Sequence, residues 1–232
     1  MMETFSQNSE GHSKVEIIPK GTWLTENIPD VPKECSRAVL CLEDLLRRAL
    51  VGQQIRMVEF GPLTSIEDPG HIAPIGIFAE RHSDARCVGI GHLPIEGSES
   101  NIRSVPYVRD LLGLYSDSSN KTPDILQKHL GGRPNIIYGQ HVFEGSSSSP
   151  HSLPVGPYKV FEEAAKILSP GGYIVVDNYG GSLHQVGIRG DWPASSQLVH
   201  AYTYSYGRGE GIYVYKKGQP TSTTPARRPG GF

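Results

Sequence analysis

Four short runs in this chain are mostly apolar and do not alternate by two: IRMVEF at 55–60, RCVGI at 86–90, NIIY at 135–138 and YIVV at 173–176. A strand with one face in water alternates apolar and polar residues, whereas a strand covered on both faces does not. Runs of this kind therefore predict strands buried on both sides. Between them lie segments with helical spacing. The stretch 34–50 places Ala38, Leu42, Leu45, Leu46 and Ala49 on one face among charged residues. Another, 157–168, aligns Tyr158, Phe161, Ala164, Ala165 and Leu168. Further helices are expected over 72–82, with Pro74 in the first turn, and over 122–130, with Thr122 as N-cap and Pro123 at the first helical position. Gly131-Gly132 and Gly171-Gly172 stop the two later helices. Strands alternating with helices in this way predict an α/β domain with a parallel sheet between two helical layers.

The last third departs from that rhythm. HAYTYSY at 200–206 alternates by two, GRGEG turns the chain, and IYVY at 212–215 returns, which is the pattern of a β-hairpin. A further strand is expected over 105–110, where Pro106 restricts it to an edge or a strand start. Residues 1–20 read as a flexible polar arm and 218–232 as a disordered tail, leaving 21–217 as one domain.

Composition narrows the partners. With 22 basic and 24 acidic side chains the net charge is −2, so a general electrostatic affinity for nucleic acid or anionic membrane is not expected. No apolar run reaches the roughly 20 residues that cross a bilayer. The opening MMETFSQNSEGHSK lacks the apolar stretch of a secretory signal. The three cysteines, Cys35, Cys41 and Cys87, form no CxxC pair and fit neither a disulfide framework nor a zinc cluster. A cytoplasmic protein acting on a small molecule, without metal, is the expectation. The sequence leaves its oligomeric state open.

In parallel α/β sheets ligands bind beyond the carboxyl ends of the strands. Those ends carry Glu59-Phe60-Gly61, Gly91-His92, Asp110, the segment from Tyr138 to His141, and Asp177-Asn178-Tyr179. The chain has no GxxxxGK[ST], GxSxG, HExxH or GxGxxG after a strand. The nine histidines match no ligand spacing.

Over 35–217 the chain resembles the class I S-adenosylmethionine-dependent methyltransferases. The resemblance rests on NIIYGQHVFEG at 135–145 and VFEEAAKILSPGGYIVVDN at 160–178. EFG at 59–61, VGIG at 88–91 and YVRD at 107–110 follow in the family's order. It implies a three-layer Rossmann-like methyltransferase fold whose mostly parallel sheet ends in an antiparallel β-hairpin, and S-adenosylmethionine as cofactor. On its terms Glu59 helps hold the amino end of the methionine moiety. Gly61 lets backbone approach the cofactor, and Asp110, beside Leu111, accepts from the adenine amine. Tyr138, Gly139, Gln140 and His141 lie near the sulfonium and the nucleophile, with His141 as general base. Asp177, Asn178 and Trp192 are candidate substrate contacts, and 34–50 together with 180–199 would form the lid. The chain departs from the family at Leu63 and Ser65, where further glycines are usual. Asn135 replaces a common Asp. Gly91 stands where the family places the acid that grips the ribose, with His92 and Glu96 as possible substitutes. The implied activity is methyl transfer to an O, N or C nucleophile of a small molecule. The alternatives are an enzyme on this scaffold that does not methylate, such as a cyclase or isomerase, and a non-catalytic binding or scaffold protein.

Overall fold

A computed structural model describes residues 15–62, 73–91, 101–102, 105–109, 121–140, 157–178, 197–207 and 210–218. Among these residues nine strands form one sheet: β1 Glu16–Ile18, β2 Arg56–Phe60, β3 Arg86–Gly91, β4 Asn101–Ile102, β5 Val105–Arg109, β6 Ile136–Gln140, β7 Tyr173–Asn178, β8 Leu198–Gly207 and β9 Glu210–Lys217. The helices are α1 Lys20–Trp23, α2 Lys33–Ala49, α3 Pro74–Arg81, α4 Thr122–Leu130 and α5 Pro157–Ile167.

The spatial order is β1-β8-β9-β7-β6-β2-β3-β5-β4. Its centre, β5-β3-β2-β6-β7, is parallel throughout. In chain order those strands read 3-2-1-4-5, the doubly wound arrangement. The sixth place is taken by β9, antiparallel to β7 and to β8. This is the expected α/β class, a three-layer Rossmann-like fold with a mostly parallel sheet and a terminal hairpin.

The mostly apolar runs feed two cores because successive strand residues point to opposite faces. Met57, Ile136, Tyr138, Tyr173 and Val175 meet Val39, Leu42 and Leu45 of α2 and Ile75 and Phe78 of α3 on one face. Val58, Phe60, Val88, Ile137, Ile174 and Val176 meet Leu126 and Leu130 of α4 and Phe161, Ala164 and Ala165 of α5 on the other.

The expected boundaries shift in instructive places. The supposed arm over 1–20 includes β1, which pairs parallel to β8 from Glu16↔Tyr202 to Ile18↔Tyr204, and the start of α1. Three residues are too few to betray a strand by periodicity. Thr122 is the first helical residue rather than the cap; Lys121 holds that place and the proline comes one position later. Pro106 sits at the start of β5, ahead of the Gly89↔Tyr107 pairing, opposite Asn101 of the two-residue edge strand β4. The segment 34–50 is not a lid: α2 buries Val39, Cys41, Leu42 and Leu45 completely and is a core layer.

Candidate functional site

The carboxyl ends of the parallel strands and the chain leaving β8 lie along one rim, because β8 runs parallel to β7 through the antiparallel β9. Strand order reverses between β2 and β6, so the crevice of a doubly wound sheet falls there. Register places Glu59 beside Tyr138 and Gln140 beside Asp177.

Glu59 is 1% exposed, and its Oε2 accepts from the Ile75 backbone N–H at 2.8 Å, in the first turn of α3. Burial pushes its carboxyl up to about 8 against the opposing pull of that hydrogen bond. Gly61 follows with φ +58°, a backbone conformation that favours glycine, and its N–H donates to Ile90 O at 2.8 Å. The turn thus requires glycine on its own account.

Gly91, the last residue of β3, has a definite neighbour. A Cβ built there would stand 2.7 Å from both Cε2 and Cζ of Tyr107, on the adjacent β5, and closer still to the phenol hydroxyl. Any side chain at 91, including the acid of the resemblance, would have to displace the phenol end of Tyr107.

On the β7 side Asp177 is 2% exposed. Tyr206 donates to its Oδ1 at 3.0 Å and Tyr138 to its Oδ2 at 3.4 Å. It is a residue of β7, next to the strand's last position. Burial, then Asp177 and Glu59, raise the Tyr138 phenol well above its ordinary range. Arg37 of α2 lies over the Tyr206 ring, 4.7 Å from its centre, and donates to Glu34 at 3.0 Å. Trp23 of α1 packs against Tyr206 at 5.8 Å and edge-on to Tyr204 at 5.3 Å. Trp23, Arg37 and Tyr206 escaped the sequence reading. Trp23 sat just past a stretch taken as an arm, and the alternation of the tyrosines is equally that of an ordinary packed face.

The structure thus brings together Glu59, Gly61, Gly91, Tyr138, Gln140 and Asp177. Asn178 ends β7 and its side chain lies outside the described residues, as do Asp110, Leu111, His141 and Trp192. The three cysteines are buried and none forms a disulfide; burial and Glu59 push the Cys87 thiol up to about 12, and burial, Asp177 and Asp44 raise that of Cys41. Such thiols are poor nucleophiles at neutral pH. Among the described residues no group of three or more His, Cys, Asp or Glu could hold a metal ion, and no helix is long and apolar enough to cross a membrane. A cleft of about 450 Å³ lined by Glu43, Leu46, Arg47, Arg81 and His82 opens at the far rim, where α3 ends.

No protein-family model matches the chain, and no curated protein matches it. Solved structures do. MycE methyltransferase of the mycinamycin biosynthetic pathway, in complex with Mg and SAH, is 15% identical with a TM-score of 0.45 over 87% of this chain and 53% of its own. The chain thus spans about half the length of MycE. N-methyltransferase NodS from Bradyrhizobium japonicum WM9, in complex with S-adenosyl-L-homocysteine, is 14% identical with a TM-score of 0.47 over 83% of this chain and 90% of its own. A protein from Plasmodium falciparum named as a ribosomal RNA methyltransferase is 14% identical with a TM-score of 0.47 over 79% of this chain and 97% of its own. The strand order and the two helical layers make the fold of this chain a three-layer, doubly wound Rossmann-like one.

Proposed function

We propose that this protein transfers the methyl group of S-adenosylmethionine to an O, N or C nucleophile of a small molecule. One observation carries the reading. An acid, Glu59, and a positive-φ glycine, Gly61, end the central strand where strand order reverses. The residues fit a nucleoside-bearing cofactor at Gly61, where the turn after the central strand presents backbone without a side chain. NodS and MycE, crystallised with the demethylated cofactor, share the layered fold without lending identity to the site. When bound, the cofactor supplies a methyl on positively charged sulfur with a ready leaving group.

The protein's part is alignment and exclusion of water. Glu59 accepts from the amino end of the cofactor. Asp110 and Leu111 take the adenine, while Tyr138 and Gln140 stand near the sulfur. His141, which follows directly on β6, takes the acceptor's proton. Asp177, fixed by two phenols, presents acceptor-side polarity together with Asn178 and Trp192. The net charge of −2 supports a small acceptor over a nucleic acid.

Calorimetric titration of the full chain with S-adenosylmethionine and S-adenosylhomocysteine tests this. Micromolar binding is expected, weakened at least about tenfold by Gly61→Val, which forces a β-branched residue into a positive-φ turn. Because a cationic amine favours the ionised carboxyl, affinity should rise with pH toward about 8 and lose that dependence in Glu59→Gln. No heat from protein shown folded by circular dichroism overturns the reading. The second reading, an enzyme or binding protein on this scaffold that does not methylate, draws its support from the occupied position beside Gly91.

A further inference from the structure

We propose that Tyr107 is the residue that meets the ribose of the bound nucleoside, its phenol standing in for the carboxylate that the resemblance places at position 91. The inference rests on the methyl-transfer reading above. Its geometric basis is the competition of two side chains for one space. In register Tyr107 lies beside Gly89, two residues short of the strand end, and Gly91 lies beside Arg109. Yet the Tyr107 ring leans forward until its Cε2 and Cζ come within 2.7 Å of where a Gly91 Cβ would be. Side chains in strands do lean along the strand direction. The hydroxyl therefore occupies the root of the missing acid's side chain, on the face that carries Glu59, and Tyr107 is only 9% exposed. A glycine at 91 leaves the tyrosine ring at 107 its present place, and a side chain at 91 would have to push that ring aside.

The substitution changes the chemistry. A carboxylate takes both ribose hydroxyls through charged bonds, whereas a phenol makes one neutral bond, worth about five- to tenfold in affinity. Recognition of the diol is then weak and of a single-hydroxyl kind.

The test is titration of the full chain with S-adenosylhomocysteine and with its 2′,3′-dideoxyribose counterpart. The wild type is expected to prefer the former by about five- to tenfold, and Tyr107→Phe, which keeps the ring, to lose that preference by weakening only the diol-bearing ligand. Gly91→Asp alone should lower the melting temperature by clashing with the ring. The double variant Gly91→Asp/Tyr107→Ala should recover it and discriminate between the two ligands more strongly than the wild type. A wild type that binds S-adenosylhomocysteine while Tyr107→Phe retains full preference for the diol overturns this proposal alone. So does a double variant no better folded than Gly91→Asp. A wild type that binds neither ligand overturns the methyl-transfer reading and this inference with it.

Discussion

Asn135 joins two strands that are far apart in sequence. Its Oδ1 accepts from Arg56 N–H at 2.9 Å, and its Nδ2 donates to Gln54 O at 2.9 Å. One amide thereby pins the entrance of β2 to that of β6. An aspartate there keeps the first bond but turns the second into a carboxylate facing a carbonyl. Asn135→Asp should therefore cost about 1–3 kcal/mol at neutral pH, measured by urea unfolding, with much of the loss recovered in acid as the carboxyl regains a donor. The sequence marks Asn135 as a departure from Asp; only the 79-residue reach of its contact explains why an amide serves here. Glu59 sets a different kind of dependence. Its folded carboxyl titrates near 8 against an ordinary 4.5, so between those values the folded state holds a proton that the unfolded state has released. Stability contributed at this site is then full below about 4.5 and falls as pH rises toward 8, by at most about 1.4 kcal/mol per pH unit. Glu59→Gln should flatten that slope in unfolding curves run from pH 5 to 8. Glu59 was legible as a strand-end acid; its protonation was not, because it depends on the burial that α3 creates.

Elements are held to the sheet by their ends as much as by their faces. Helix α5 finishes under Lys217 of β9, whose Nζ donates to Ala165 O at 2.5 Å and Leu168 O at 3.0 Å. These carbonyls belong to the last turn, where no intrahelical donor reaches them. Lys217→Met should remove both bonds while sparing the apolar stem, at a cost of about 1–2 kcal/mol, or roughly 2–7 °C in melting temperature by calorimetry. Helix α4 ends on Gly131, φ +71°, whose N–H donates to Gln127 O at 3.1 Å while Gly132 N–H donates to Leu126 O at 3.4 Å. That ending was legible from the glycine pair, as were α2 and α5 from their spacing. A lysine from a strand 49 residues on was not: local pattern says where a helix stops but not what covers it.

At the scale of the molecule, the two-sided burial of the central strands follows from apolar runs that do not alternate by two. The order of the sheet's outer part does not, since EII at 16–18 carries no period and its partner lies at 202–204. Trp23 reaches Tyr204 and Tyr206 only through that pairing. Trp23→Ala, removing a side chain 3% exposed, should cost about 3–5 kcal/mol, read from denaturant midpoints. The large value is expected because the cavity opens against β8, which cannot shift without breaking its ladders with β1 and β9.

The pairing of Glu16 with Tyr202 also bears on synthesis. A ribosome releases β1 first, yet its place in the sheet does not exist until the hairpin β8–β9 has emerged and docked on β7. The growing chain carries an N-terminal segment without a berth through most of translation, and from Asn178 to Lys217 an open β7 edge as well. Contacts of such long separation form late and slowly, and the open edge is a site for association with other chains. Nascent protein should therefore depend on cellular factors that shield unfinished sheets until the last strand is made.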